Sequence, residues 1–265
     1  MNKIDISILM PAIRRENWNR VYQSILGSTK RSFELIIVSP FPLTDELQGL
    51  VNVKYVKDFG SPVRCSNIGA LLAEGKYFYP THADDGYFIK DSIDNNIKVL
   101  EDMGNDKKNI VACKYSESDG LTHPERYQDD DYYKLVNAYP VSRDIIPKDW
   151  LIFNSVFWHR EYFDEFGGWD SSYGACPMSH ADLAIRAQRD GAIVKLSNYP
   201  LTQNDHGQND HGPIEVAQLQ YDAPRFRYRY SQPLDTYPIK IKHDNWKEAD
   251  RVWKFRFTEV PSLSS

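Results

Sequence analysis

Three features of the 265-residue sequence predict an α/β fold, a mostly parallel sheet flanked by helices. Strand and helix patterns alternate through the first ~115 residues. The strand candidates are short, nearly continuous apolar runs, as expected where both faces of a sheet are covered. Polar clusters follow several of these runs, and open α/β sheets bind ligands outside the carboxyl ends of their strands.

Ile4 to Met10 is an apolar run closed by Pro11 and predicts the first strand. From Glu16 to Leu26, the residues Trp18, Val21, Tyr22, Ile25 and Leu26 recur at helical spacing. Phe33 to Val38 predicts a second strand, broken by Ser39-Pro40-Phe41-Pro42, and Val53 to Val56 a third. Ser61-Pro62 starts a helix through Leu72, with proline at its tolerated first position. Gly75 ends that helix, and Lys76 to Tyr79 is the fourth strand. Ile89 to Met103 is an amphipathic helix and Asn109 to Lys114 a further strand. Residues 116–150 are polar and tyrosine-rich, carry the run Asp129-Asp130-Asp131, and predict a long loop or lid-like insertion. Phe153 to Trp158 and Ile193 to Leu196 predict later strands around a helix from His180 to Arg189. From Gln203 onward the α/β rhythm is lost.

Composition narrows the class. A hydrophobic fraction of 41% with 26% charged residues is that of an ordinary globular chain, and no apolar run approaches the ~20 residues of a membrane span. The apolar start meets Pro11 too early for a signal-peptide core, so a cytoplasmic location is expected. Cys65, Cys113 and Cys176 show no CxxC spacing and predict single buried thiols. A net charge of −5 argues against a general nucleic-acid binder.

Pro11-Ala12-Ile13-Arg14 follows the first strand, Ser39 the second, and His82-Ala83-Asp84-Asp85 the fourth. Asp84 and Asp85 fit a helix cap or a turn ending in Gly86. They also fit a hard-cation site whose ion grips a diphosphate. Asp182 stands in a first helical turn, where a carboxylate complements the helix dipole or serves chemistry. His206 and His211 lie five apart in an apparent loop, flanked by Asp and Gly. Metal or phosphate contact and a structural role are both open to them, and the spacing does not say which of the two histidines would bind.

Several motifs occur in order. After Pro11-Ala12-Ile13-Arg14 come Asn67-Ile68-Gly69, Ala73-Glu74-Gly75-Lys76-Tyr77 and Thr81-His82-Ala83-Asp84-Asp85. Val156 to Glu161 then leads to Gly167-Gly168-Trp169-Asp170, and Ser179-His180-Ala181-Asp182-Leu183 continues through Arg186 and Gly191. From about Ile6 to Leu196, with a counterpart near His206, this order resembles the inverting family 2 glycosyltransferases. The resemblance implies a Rossmann-like GT-A domain over 1–202, with a nucleotide-binding half, 1–115, and an acceptor half, 116–202. A C-terminal extension, 203–265, completes the site. The implied reaction is metal-assisted sugar transfer, with inversion, from a nucleotide-sugar donor to an acceptor hydroxyl on a glycan, glycolipid or polysaccharide.

The resemblance also assigns residues. Pro11, Ala12, Arg14, Ser39, Arg64, Asn67 and Asp84 are expected at the nucleotide. Mn2+ or Mg2+ would rest on Asp84 with His82 and His206, His211 being the alternative histidine. His180 or Asp182 would be the catalytic base. Three departures stand out: His82 replaces the first aspartate of the metal motif, Ser39-Pro40 replaces the aspartate that reads a uracil ring, and Ser179-His180 replaces the Glu-Asp pair of the base. A histidine base, with a reference pKa near ~6.5, predicts an activity limb near pH ~6 to 7.

Other functions stay open. An altered base motif suits a catalytically degenerate GT-A-fold binding protein. A nucleotidyltransferase needs a Gly-rich, Lys-bearing loop where Pro11 to Arg14 stand. Arg225 to Tyr230 and Arg251 to Phe257 alternate basic and aromatic residues. That pattern fits a strand with one wet face, a nucleic-acid grip disfavoured by net acidity, or peripheral contact with the inner membrane surface for a lipid-linked acceptor. Trp150, Trp158 and Trp169 fit either sugar platforms or plain core.

Overall fold

The computed structural model describes residues 4–118, 126–127, 147, 150–205 and 212–261. Its strands are β1 (Ile6–Pro11), β2 (Phe33–Ser39), β3 (Val53–Lys57), β4 (Tyr77–Tyr79), β5 (Gly86–Phe88), β6 (Asn109–Ser118), β7 (Arg126–Tyr127), β8 (Val156–His159) and β9 (Ile193–Asp205). Its helices are α1 (Arg15–Ser28), α2 (Pro62–Ala70), α3 (Ser92–Asp102), α4 (Arg160–Phe166), α5 (Cys176–Arg189), α6 (Gly212–Ala217) and α7 (Ala223–Arg229). A π-helical turn, Gln218–Asp222, joins the last two. The strands form one sheet in the order β3-β2-β1-β4-β8-β6-β9-β5, with β7 beside β6. The run β3-β2-β1-β4 is parallel. Antiparallel β8 then joins β4 to β6, and β9 returns parallel to β6 through two register irregularities.

Alternation along the strands divides the core between the two sheet faces. Ile6, Ile8 and Met10 of β1, with Leu35 and Ile37 of β2, pack with Trp18, Val21 and Ile25 of α1 and Ile93 and Ile97 of α3. Leu9, Ile36 and Val38 point the other way, into a larger cluster with α2, α4 and α5. Helix α2 starts as its sequence dictates: Pro62 opens it, and Ser61 Oγ caps it by accepting from Arg64 N–H at 3.2 Å. It lies close to β1 because position 69 is glycine, where a β-carbon would come within 1.9 Å of Leu9 Cδ1.

Several expectations are corrected. Arg225 to Tyr230 is not a strand, since Ala223–Arg229 is helical, and residues 251–257 form turns. Strand β9 runs from Ile193 to Asp205 as one strand. Strand β5 was not anticipated. Trp158 and Trp169 are core residues and not sugar platforms, while Trp150 packs half-buried against the same cluster. Most of the tyrosine-rich insertion, Asp129 to Asp131 included, lies outside the described residues. Among the described residues, no helix is long and apolar enough to cross a membrane.

Candidate functional site

A cavity of about 380 Å³ opens at the carboxyl ends of β1, β2 and β4. Pro11, Ala12, Ile13 and Arg14 form one side as the chain leaves β1 for α1, and His82, Ala83, Asp84 and Asp85 adjoin them. His180 and Pro177 come from the opening turns of α5. The parallel part of the sheet and helix α5 therefore meet at one space, as open α/β sheets arrange their ligand sites.

Asp84 holds the first side together. Its Oδ2 accepts from the backbone N–H of Ile13 and of Arg14, each at 2.6 Å. Its Oδ1 accepts from Arg14 Nη1 at 2.5 Å, and the same nitrogen lies 3.7 Å from Asp85 Oδ2. The turn itself is closed by Gly86 N–H donating to the Ala83 carbonyl at 3.0 Å, as the turn reading of Asp84-Asp85 expects, and both residues line the cavity. Asp205 N–H donates to the Asp85 carbonyl at 2.9 Å, which brings the end of β9 to the same place.

The two histidines in the cavity wall are neutral groups. His82 is buried, stacks on Phe88 at 4.4 Å, and its Nε2 is hydrogen-bonded to the Gly86 carbonyl at 2.8 Å. Burial pushes its pKa down to about 4, against the opposing pull of that carbonyl and Asp85. His180 is buried against Trp169, edge-on at 4.8 Å, and its Nδ1 has no hydrogen-bond partner. Burial pushes it down to about 3, and the Phe153 carbonyl offsets only part of that. An acid limb at pH ~6 to 7 from this group is therefore no longer expected.

Four of the assigned residues are placed elsewhere. Asp182 is fully buried: Arg186 Nε reaches its Oδ2 at 2.7 Å, while Arg229 Nη1 and the Tyr230 hydroxyl reach its Oδ1 at 2.6 and 2.8 Å. It is the hub of an ion-pair network linking α5 to α7 and does not line the cavity. Arg64 spends its guanidinium on Asp58, at 2.9 and 3.0 Å, and on the Trp246 carbonyl at 2.6 Å. Asn67 donates to the Trp169 carbonyl at 2.8 Å and accepts from Trp169 N–H at 3.0 Å, stitching α2 to the Gly167-Gly168 turn. Ser39 is buried at the end of β2, where its hydroxyl accepts from Phe41 N–H at 3.0 Å. Its neighbours Val38 and Pro40 line the cavity instead. His206 and His211 lie outside the described residues.

The residues present fit a hard cation in part. Asp84 and Asp85 offer carboxylate oxygens side by side, the donor type Mn2+ and Mg2+ take. The Nε2 of His82 is committed to a carbonyl. Among the described residues, no group of three or more His, Cys, Asp or Glu side chains is arranged to hold a metal. That donor set suits an ion that draws further oxygens from a bound diphosphate.

The sequence did not single out the individual residues of the cavity's remaining wall, although a C-terminal contribution to the site was expected. Trp253, Arg256 and Phe257 reach it from the C-terminal segment, and Tyr79, Ser155 and Cys176 from within the domain. Cys65 also lines it, so two thiols distant in sequence share one cavity; all three cysteines are free. The only available signal was the basic and aromatic alternation at 251–257, which has a commoner explanation as a strand.

No protein-family model matches the sequence, and no curated protein matches it. Solved structures do match in fold. GalNAc-T7, crystallised with UDP, GalNAc and Mn2+, gives a TM-score of 0.60 at 12% identity over 93% of this chain and 56% of its own. The mannosyltransferase PcManGT from Pyrobaculum calidifontis, in complex with GDP-Man and Mn2+, gives 0.53 at 13% over 83% and 62%. TarS 1-349 from S. aureus, in complex with UDP, gives 0.52 at 16% over 83% and 67%. At these identities the likeness is one of fold, and it is the GT-A fold. The chain spans less than two thirds of the length of the first two.

Proposed function

We propose that this chain is a glycosyltransferase that moves a sugar from a nucleotide-sugar donor to an acceptor hydroxyl. The observation that carries this reading is the single cavity into which Arg14 and Asp84 project from the parallel half and His180 from the acceptor half. The fold likeness supports it, because GalNAc-T7, PcManGT and TarS were each solved with a nucleotide or nucleotide sugar.

In this reading the donor diphosphate lies against Pro11 to Arg14. Arg14 meets it from the β1 side and Arg256 from the C-terminal segment, since guanidinium matches phosphate geometry. Asp84 and Asp85 would hold Mn2+ or Mg2+, with His206 or His211 completing the set. The ion would neutralise the departing diphosphate. His180 is neutral at any ordinary pH and would accept the proton of the acceptor hydroxyl. A base on the α5 wall and a leaving group on the β1 wall suit direct displacement with inversion, as the family 2 resemblance implies. A lipid-linked acceptor would bring the chain to a cytoplasmic membrane surface.

The test is a thermal-shift screen of UDP, GDP and other nucleoside diphosphates with and without Mn2+. One of them, with Mn2+, should raise the melting temperature, because a ligand that binds only the folded state stabilises it by mass action. No shift with any of them refutes the reading. The low basicity of His180 favours a second reading, a GT-A-fold binding protein without turnover. Nucleotide binding with no sugar release from the matching donor would select it.

A further inference from the structure

We propose that Arg14 and a divalent cation exchange with one another at Oδ1 of Asp84, so that the arginine is a displaceable occupant of the metal position. This rests on the nucleotide-sugar reading of the cavity and adds a coupling mechanism to it. The two oxygens of Asp84 are held differently. Oδ2 is fixed by two backbone N–H groups at the entrance to α1, both at 2.6 Å, and these cannot leave without moving the helix. Oδ1 is held by a side chain, Arg14 Nη1 at 2.5 Å, whose guanidinium reaches it through rotatable bonds. A side chain can swing away while the carboxylate stays in place.

Binding of a cation between the two carboxylates would require such an exchange. Arg14 Nη1 lies within 3.7 Å of both Asp84 and Asp85, which is where a cation between the two carboxylates would sit. A guanidinium and a divalent ion cannot share that space in a buried, weakly screened setting without strong repulsion. A diphosphate resolves the conflict, since it offers Arg14 a new anion a short distance along the same cavity wall. Cation and nucleotide are then linked through one residue: each makes the other's site more available, by the same factor in both directions.

Mn2+ binding, followed by loss of the free-ion EPR signal, reads this without any turnover. For Arg14→Gln, the affinity for Mn2+ alone should rise by on the order of tenfold, the size of effect a neighbouring cation has on proton binding to a carboxylate. The further gain on adding UDP or GDP should shrink relative to the wild type. Arg14→Lys keeps the charge but loses the planar fork, and should fall between the two. The double variant Arg14→Gln/Asp84→Asn should lose the extra affinity. Unchanged or weaker Mn2+ binding in both single variants, with melting curves showing them folded, overturns the proposal. So does a gain that survives Asp84→Asn. A wild type that binds neither UDP nor GDP with Mn2+ would instead sink the underlying functional reading.

Discussion

At the scale of single residues, His180 and Asp182 stand two positions apart on one helix and have opposite environments. Asp182→Asn removes the negative centre of a network that holds Arg186 and Arg229 in the interior. Breaking a buried pair from one side costs about 3–5 kcal/mol, so this variant should melt well below the wild type. His180→Ala should fold, bind nucleotide normally and lose turnover by ~10²–10⁴. Calorimetry and single-turnover kinetics separate the two; a stable Asp182→Asn that has lost only turnover would restore it as the base. The histidines also make a pH prediction. Folded His82 and His180 have pKa values depressed to about 4 and about 3, whereas unfolding returns them to ~6.5. Between those values the unfolded chain binds more protons, so this stability contribution is present above pH ~6.5 and is lost as pH falls towards 4 and then 3. The melting temperature should therefore drop across that window, and His180→Gln should flatten the drop. An equal slope in the variant would mean that His180 already titrates normally when folded.

At the scale of elements, glycines separate a fold requirement from a local convenience. Gly75 precedes β4 where it crosses β1, and a β-carbon there would lie 2.5 Å from Ser7 N and 2.6 Å from Ile6 C, backbone atoms of a central strand. Gly75→Ala should cost about 1–3 kcal/mol, as overpacking does. Gly27, in the last turn of α1, has nothing within 4 Å of its would-be β-carbon. Gly27→Ala should stabilise by about 0.4–1 kcal/mol, because it restricts only the unfolded chain. Urea melts of both check the pair, and equal effects would contradict the packing described here. The same contrast explains what the sequence made legible. The central strands and α1 to α3 were readable because their apolar spacing is a local signal, and so was the turn at Asp84. What Asn67 and Arg64 bond was not legible, because sequence records that a polar side chain stands there and not its partners: here, the Trp169 backbone, and Asp58 with a distant carbonyl. Strand β5 is only three residues long, and its pairing with β9 is a contact across sequence that no local pattern carries.

At the scale of the whole molecule, the C-terminal segment is what closes the cavity. Beyond α7 its described residues carry two short 3-10 turns, Leu234–Thr236 and Asn245–Glu248, and it is pinned to the domain at separate points. Ile241 N–H donates to the Phe166 carbonyl at 3.2 Å, Arg64 Nη1 to the Trp246 carbonyl at 2.6 Å, and Trp253 N–H to the Phe59 carbonyl at 2.9 Å. The ring of Trp253 then packs on Ala175 and Ala217, so the segment bridges the opening of α5 and the end of α6. Trp253→Ala should cost stability towards the lower end of the ~3–5 kcal/mol typical of core tryptophans, because that cluster is small. Its larger effect should be on the cavity, with UDP or GDP affinity falling by on the order of tenfold, 1.4 kcal/mol, at a temperature where the variant is fully folded. Arg256→Gln should lower the same affinity, since it removes a charge from the wall; its guanidinium also lies 5.9 Å from the centre of the Trp253 ring, so the affinity is compared at a temperature where the variant is fully folded. Titration calorimetry with Mn2+ present measures both. If both variants bind nucleotide as the wild type does, the segment is packing alone, and the idea that residues 203–265 complete the site fails while the fold stands.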